Sequence, residues 1–191
     1  MQAAGSDAAN ADGVTPLHRA AERGHVKAIS TLLQADANKE AADKDGANPL
    51  HRAAGGGHVE AIVALLGAGA NKESADKDGA TPLHRAAGGG HVEAIDALLG
   101  AGANKESADK DGATPLHRAA GGGHVEVIVA LLGAGANKEA ADEDGATPLH
   151  RAAGGGHVEA IVALLGAGAN KEAADKVRPG GGGEWALVFM F

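Results

Sequence analysis

The chain has 191 residues, 44% of them hydrophobic, which allows one domain or two small ones with a packed core. Aromatic residues make up 2%, Tyr is absent and Gly numbers 31, so that core must be built from Ala, Leu, Val and Ile. A net charge of −8 argues against phosphate-backbone binding, and the absence of Cys excludes disulfides, thiolate metal sites and cysteine nucleophiles.

In chain order, residues 1–12 (MQAAGSDAANAD) carry neither a basic start nor an apolar core, so no secretory signal is expected. Residues 1–9 are expected to be disordered. No apolar run approaches the ~18 residues of a membrane span. From there the chain repeats itself. Pro-Leu-His-Arg-Ala-Ala begins at Pro16, Pro49, Pro82, Pro115 and Pro148, a constant spacing of 33. Blocks 47–79 and 80–112 differ at two positions only, Asn48 against Thr81 and Val63 against Asp96.

Within one period the local physics predicts helix, turn, helix, loop. Thr81 suits an N-cap, and Pro82 suits a first turn that needs no N–H partner. Leu83, Ala86 and Ala87 then share one helical face. Gly88-Gly89-Gly90 ends that helix and His91 opens a second. Val92, Ile95, Leu98 and Leu99 mark its buried face, Glu93 sits favourably in its first turn, and Gly100 with Gly102 stops it. Asp76-Lys77-Asp78-Gly79 is a turn signal. One such pair cannot bury both faces, so stacking must supply the core.

Period and motif together resemble the ankyrin repeat family. The matching residues are Gly79-Ala80-Thr81-Pro82-Leu83-His84, Ala86-Ala87, Gly90-His91, Leu98-Leu99 and Gly102-Ala103, recurring in five copies. The resemblance implies an all-α ankyrin solenoid of stacked helix-turn-helix units with β-turn loops. The expected domain spans 10–176, with repeats at about 13–45, 46–78, 79–111, 112–144 and 145–176. It implies a non-catalytic protein-interaction scaffold or adaptor, expected to be a monomer in the cytoplasm or nucleus. The expected partner is a protein or peptide, with no nucleic acid, membrane, cofactor or metal. A second reading is a fragment of a larger ankyrin protein, or a recently expanded array without a dedicated partner.

Carried over by position from the family, the binding surface is a concave face of turn tips and first helices. Its residues here are Glu22, Arg23, Lys44, Asp45, Lys77, Asp78, Ala80, Gly88, Gly89, Lys110, Asp111, Gly121, Gly122, Glu143 and Asp144. The face offers Gly and Ala where selective interfaces carry aromatic or Arg anchors. The column Arg19, Arg52, Arg85, Arg118 and Arg151 has two readings: a recognition ladder for an acidic peptide, or exposed charge balanced by neighbouring carboxylates. Two His columns, His18, His51, His84, His117, His150 and His25, His58, His91, His124, His157, are expected to be family framework. In the family the first joins a network with the motif Thr, and the second lies at the inter-helix turn. Buried neutral His would make stability fall with pH.

No nucleophile elbow, P-loop Lys-Ser/Thr or complete calcium loop accompanies the Ser, Gly and Asp residues. Eight glycines, at 55, 56, 88, 89, 121, 122, 154 and 155, are expected to weaken their helices.

The ends differ. Repeat 1 carries Glu22, Arg23, Lys27, Ser30, Thr31 and Gln34 where repeat 2 has Gly, Gly, Glu, Val, Ala and Gly, which fits a solvated N-terminal cap. After Lys176 the pattern breaks into a Gly-rich spacer and an apolar tail, residues 177–191, holding the only Trp and both Phe. That tail covers the open end of repeat 5, serves as a linear motif, or lies outside the true reading frame.

Overall fold

A computed structural model describes residues 8–175. Most of the expected disordered 1–9 segment, and the whole 177–191 spacer and tail, lie outside the described residues. Among the described residues ten helices form five pairs: α1 Pro16–Glu22 with α2 Val26–Gln34, α3 Pro49–Gly55 with α4 Val59–Gly67, and α5 Pro82–Gly89 with α6 Val92–Gly100. The last two are α7 Pro115–Gly121 with α8 Val125–Gly133, and α9 Pro148–Gly154 with α10 Val158–Gly166. Odd helices pack on odd and even on even, giving two layers of an all-α solenoid.

Helices of seven to nine residues are marginal in water alone, so capping and burial must hold them. Thr15, Asn48, Thr81, Thr114 and Thr147 cap the odd helices, each followed by Pro in the first turn. The usual Glu of a capping box is replaced by His at the third position. Its ring Nδ1 accepts the cap residue's own N–H at 3.1–3.2 Å. Gly90, left-handed at φ 75°, ends α5. At the end of α6, Gly102 N–H bonds Leu99 O and Ala103 N–H bonds Leu98 O, a Schellman stop. The first pair uses Asp36 at that left-handed position, with φ 57°.

The core is a repeating set. Leu17, Leu50, Leu83 and Leu116 bury completely or nearly so, as do Ile29, Ile62, Ile95 and Ile128 and then Leu65, Leu98, Leu131 and Leu164. Buried alanines such as Ala53, Ala54, Ala86 and Ala87 line the contact between odd helices. Each large aliphatic is worth roughly 1.5–3 kcal/mol of burial. Lys27, Ser30, Thr31 and Gln34 are exposed on α2, as a solvated end requires.

Repeat 2 departs from its neighbours at Asn48. His51 Nε2 faces the Ala80 carbonyl at 3.0 Å and so carries the ring proton, leaving Nδ1 as an acceptor. A Thr hydroxyl at the cap can donate to Nδ1, as the 2.8 Å contact of Thr15 with His18 allows. Asn48 instead sets its amide oxygen 2.7 Å from Nδ1 while its Nδ2 donates to Glu40. Asn48→Thr is expected to raise stability by about 0.5–1.5 kcal/mol. Glu40 keeps the Asn71 N–H at 2.8 Å. Urea unfolding checks this, and a lower midpoint would remove the account.

Candidate functional site

The turns between helix pairs stand out as a row of fingers. In the finger 76–79, Gly79 N–H donates to Asp76 O at 2.9 Å, closing a β-turn. Gly79 has φ 77°, and a Cβ there would lie 2.8 Å from Lys110 N, so the residue serves both a left-handed turn and a close approach. Asp76 organises the finger from within. Its Oδ1 accepts the N–H of Asp78 at 2.9 Å and of Ala80 at 3.0 Å. Its Oδ2 accepts Arg85 Nε at 2.8 Å. The carboxylate is wholly buried, whereas the Arg85 side chain is 41% exposed.

The same clamp recurs in Asp43–Arg52, Asp109–Arg118 and Asp142–Arg151. Burial alone would raise the Asp43 and Asp142 carboxyls. The arginine bonds and backbone donors outweigh it and hold both below the ordinary carboxylate value. Arg19 has no such partner, because Asn10 stands where the aspartate would, and it approaches Glu22 at 3.7 Å.

Adjacent fingers are tied to one another through the backbone. Lys44 N–H bonds Asp12 O at 2.7 Å. Lys77 bonds Asp45, Lys110 bonds Asp78 and Glu143 bonds Asp111, each at 2.9 Å. The tips therefore form one ribbon with fixed spacing.

The two His columns staple neighbouring pairs in opposite directions. His18, His51, His84 and His117 donate from Nε2 to the carbonyls of Ala47, Ala80, Ala113 and Ala146 ahead of them, at 2.9–3.0 Å. His58, His91, His124 and His157 reach back from Nε2 to the carbonyls of Glu22, Gly55, Gly88 and Gly121, each at 2.9 Å.

The first column sets a pH dependence. Desolvation lowers the pKa of His51, His84 and His117 below 6.5, opposed in part by the carbonyl each one bonds and by nearby Asp76, Asp109 or Asp142. The unfolded chain then binds more protons than the native one as pH falls below about 6.5. Stability is expected to be full above that value and to fall as pH drops toward the lowered folded values. A second loss is expected below about pH 3.8, where the unfolded forms of Asp43 and Asp142 protonate first. The melting temperature at pH 5.5 should lie below that at pH 7.5; equal values would contradict the assignment.

The structure places Lys44, Asp45, Lys77, Asp78, Lys110, Asp111, Glu143 and Asp144 at the exposed fingertips. Glu22 and Arg23, at the end of α1, are exposed, as are Gly88, Gly89, Gly121 and Gly122 at the ends of α5 and α7. Ala80 is a correction. It is 5% exposed, because its N–H serves Asp76 and its carbonyl serves His51, so it presents no side chain to a partner. The arginine column is committed on one side to buried aspartates, with Arg19 as the exception. Between the first three pairs the face forms a groove lined by Glu22, Asp45, Arg52, Lys77, Asp78 and Arg85, floored by Gly55 and Gly56. Gly55 and Gly56 stand 33 positions before Gly88 and Gly89 and occupy the same place in the preceding repeat.

Chemically, the groove offers alternating fixed charges over a glycine floor. Among the described residues, no group of three or more His, Cys, Asp or Glu side chains can hold a metal ion, and no helix is long and apolar enough to cross a membrane. A family profile described as ankyrin repeats (3 copies) matches residues 2–76, 36–109, 55–142 and 83–175. No curated protein matches the chain.

Proposed function

The chain belongs to the ankyrin repeat family, and we propose that it is a non-catalytic scaffold or adaptor that holds a protein partner in its concave groove. Ankyrin repeats are in general protein-interaction modules. The observation that carries the reading here is the fingertip ribbon. Backbone bonds between fingers hold the Lys and Asp tips at one repeat distance, so little order is lost on binding. Arg85 and Arg118 also reach the tip carboxylates Asp78 and Asp111 at 3.2 Å, which fixes those charges. The groove supplies no aromatic anchor, so the partner brings its own, or matches the ribbon with charges at a similar interval.

Affinity capture from the source lysate tests this, comparing the native array with a Gly55→Gln, Gly88→Gln variant. Both sites have room for a Cβ, with the nearest contact at 3.8–4.0 Å, so the fold is retained while Gln at 55 fills the floor of the groove and Gln at 88 the same position one repeat on. A partner held by the native array and lost from the variant is expected. A partner held equally would place the site elsewhere. No partner for either would favour an expanded array without a dedicated partner, which the near-identity of blocks 47–79 and 80–112 supports.

A further inference from the structure

The outer face of the even-helix layer carries apolar side chains that packing within the array does not account for. Val63 on α4, Val129 on α8 and Val162 on α10 hold the same place in their pairs and are 57%, 58% and 63% exposed. One exposed valine is ordinary. Val129 and Val162, however, lie in register on neighbouring packed helices, so they form one row. Valine is also a weak helix former, so an exposed helix face gains nothing from it. On α6 the same position is Asp96. Beside this row runs a second. Glu60, Glu93, Glu126 and Glu159 are exposed in the first turns of the four helices, three residues before the Val or Asp. That spacing puts both rows on one face. Helices α4, α6, α8 and α10 together hold five carboxylates and no Lys or Arg. Among the described residues none of the five carboxylates takes part in an ion pair or a side-chain hydrogen bond. The face is thus an apolar row edged by negative charge without a counterpart.

We infer that this face is a second docking surface, separate from the concave groove, and that its occupant is a basic amphipathic helix of another protein. The apolar side of that helix rests on Val129 and Val162, and its Lys or Arg residues meet Glu126, Glu159 and Asp96. The spacing suits a helix laid across the layer. Neighbouring helices pack about 8–10 Å apart, and residues seven apart on a helix are separated by about 10.5 Å. One apolar and one basic residue every two turns therefore keep step with the two rows. Small residues let the partner come close: a Cβ on Gly133 of α8 or Gly166 of α10 would meet nothing within 4 Å. Charge decides between occupants. A second copy docked through the same face would set carboxylates against carboxylates, and an anionic lipid surface would be repelled in the same way. An uncharged apolar segment would desolvate the carboxylates without pairing them.

The probe is a fluorescent peptide of about 18 residues, made of Leu and Lys with Leu on one helical face, long enough to cross the four helices. Its anisotropy is read against the intact chain at ~0.15 M salt. Binding is expected, and a peptide of the same composition in scrambled order should bind about tenfold more weakly. Val129→Ser with Val162→Ser should weaken binding about tenfold, because the apolar contact is lost. Glu126→Gln with Glu159→Gln should weaken it and flatten its salt dependence. Helical circular dichroism should be unchanged in both, since all four side chains are exposed. The Gly55→Gln, Gly88→Gln variant should bind as the native array does, which separates this face from the groove. No binding, equal affinity for the two peptides, or binding that survives both surface variants would overturn the inference. So would binding lost only in the glycine variant, which would place the helix in the groove. A dimer of the chain dispersed by the valine variant would also overturn it and assign the face to a second copy.

Discussion

Asp109→Ala is expected to lower the stability of the array by about 2–4 kcal/mol. The side chain is fully buried and accepts four N–H groups: Asp111 and Ala113 at 3.0 Å, Arg118 Nε at 2.8 Å and Arg118 Nη2 at 2.5 Å. Alanine leaves the buried Ala113 N–H with no acceptor at that position, at about 1–3 kcal/mol for such a group. Arg118 contributes less than its short contact suggests. Its side chain is 42% exposed, so water screens the charge once the aspartate is gone.

The finger also sets the position of the Ala113 carbonyl, which His84 bonds at 3.0 Å, so the inter-pair staple weakens with it. Asp109→Asn retains an acceptor oxygen for the two backbone groups and is expected to lose less. Arg118→Ala should also lose less, and the Asp109→Ala, Arg118→Ala double variant should match Asp109→Ala alone within error. Position along the array matters too. The equivalent change at Asp142 supports a terminal pair, which opens locally before the rest. Denaturant unfolding of the four variants measures this order, and an Arg118→Ala loss larger than that of Asp109→Ala would reverse the account.

The contrast between clamp and sequence shows what was legible. Thr81-Pro82 and Gly90 marked the ends of α5, and Gly102 the stop of α6, because capping and left-handed glycine are local chemistry. The 33-residue period then supplied the stacking. The burial of Ala80 could not be read, since its partner His51 lies 29 residues earlier and one layer away. Arg85 and Asp76, nine residues apart, both look like surface charge until the turn brings them together. The fingertip ribbon was hidden for the same reason: its bonds are backbone to backbone, so the side chains at 77 and 110 carry no trace of them. The second His column read as a turn residue, and its bond to a carbonyl of the preceding pair became visible only in three dimensions.

The glycine triplet is where a local rule and the packed structure part company, and it gives opposite signs at neighbouring positions. Helix propensity alone treats Gly88 and Gly89 as the same weakness. A Cβ on Gly88 would find nothing closer than Arg118 Cβ at 4.0 Å, so Gly88→Ala is expected to stabilise by about 0.4–1 kcal/mol. Gly55, Gly121 and Gly154 are equally open, and the four changes together should add about 2–4 kcal/mol, since the sites are far enough apart to sum. A Cβ on Gly89 would lie 2.6 Å from the His91 ring. That ring bonds Gly55 O at 2.9 Å and has to leave it, so Gly89→Ala is expected to destabilise by about 1–3 kcal/mol. Gly90→Ala meets two obstacles at once, a φ of 75° and the His124 ring at 2.7 Å, and is expected to lose the most, about 2–4 kcal/mol. The second glycine of each triplet is thus the space into which the histidine staple folds, and its replacement loosens one repeat from the next. Thermal unfolding of the three single variants decides the matter. A stabilising Gly89→Ala would show that the ring has room to move, and that the staple contributes little to stacking.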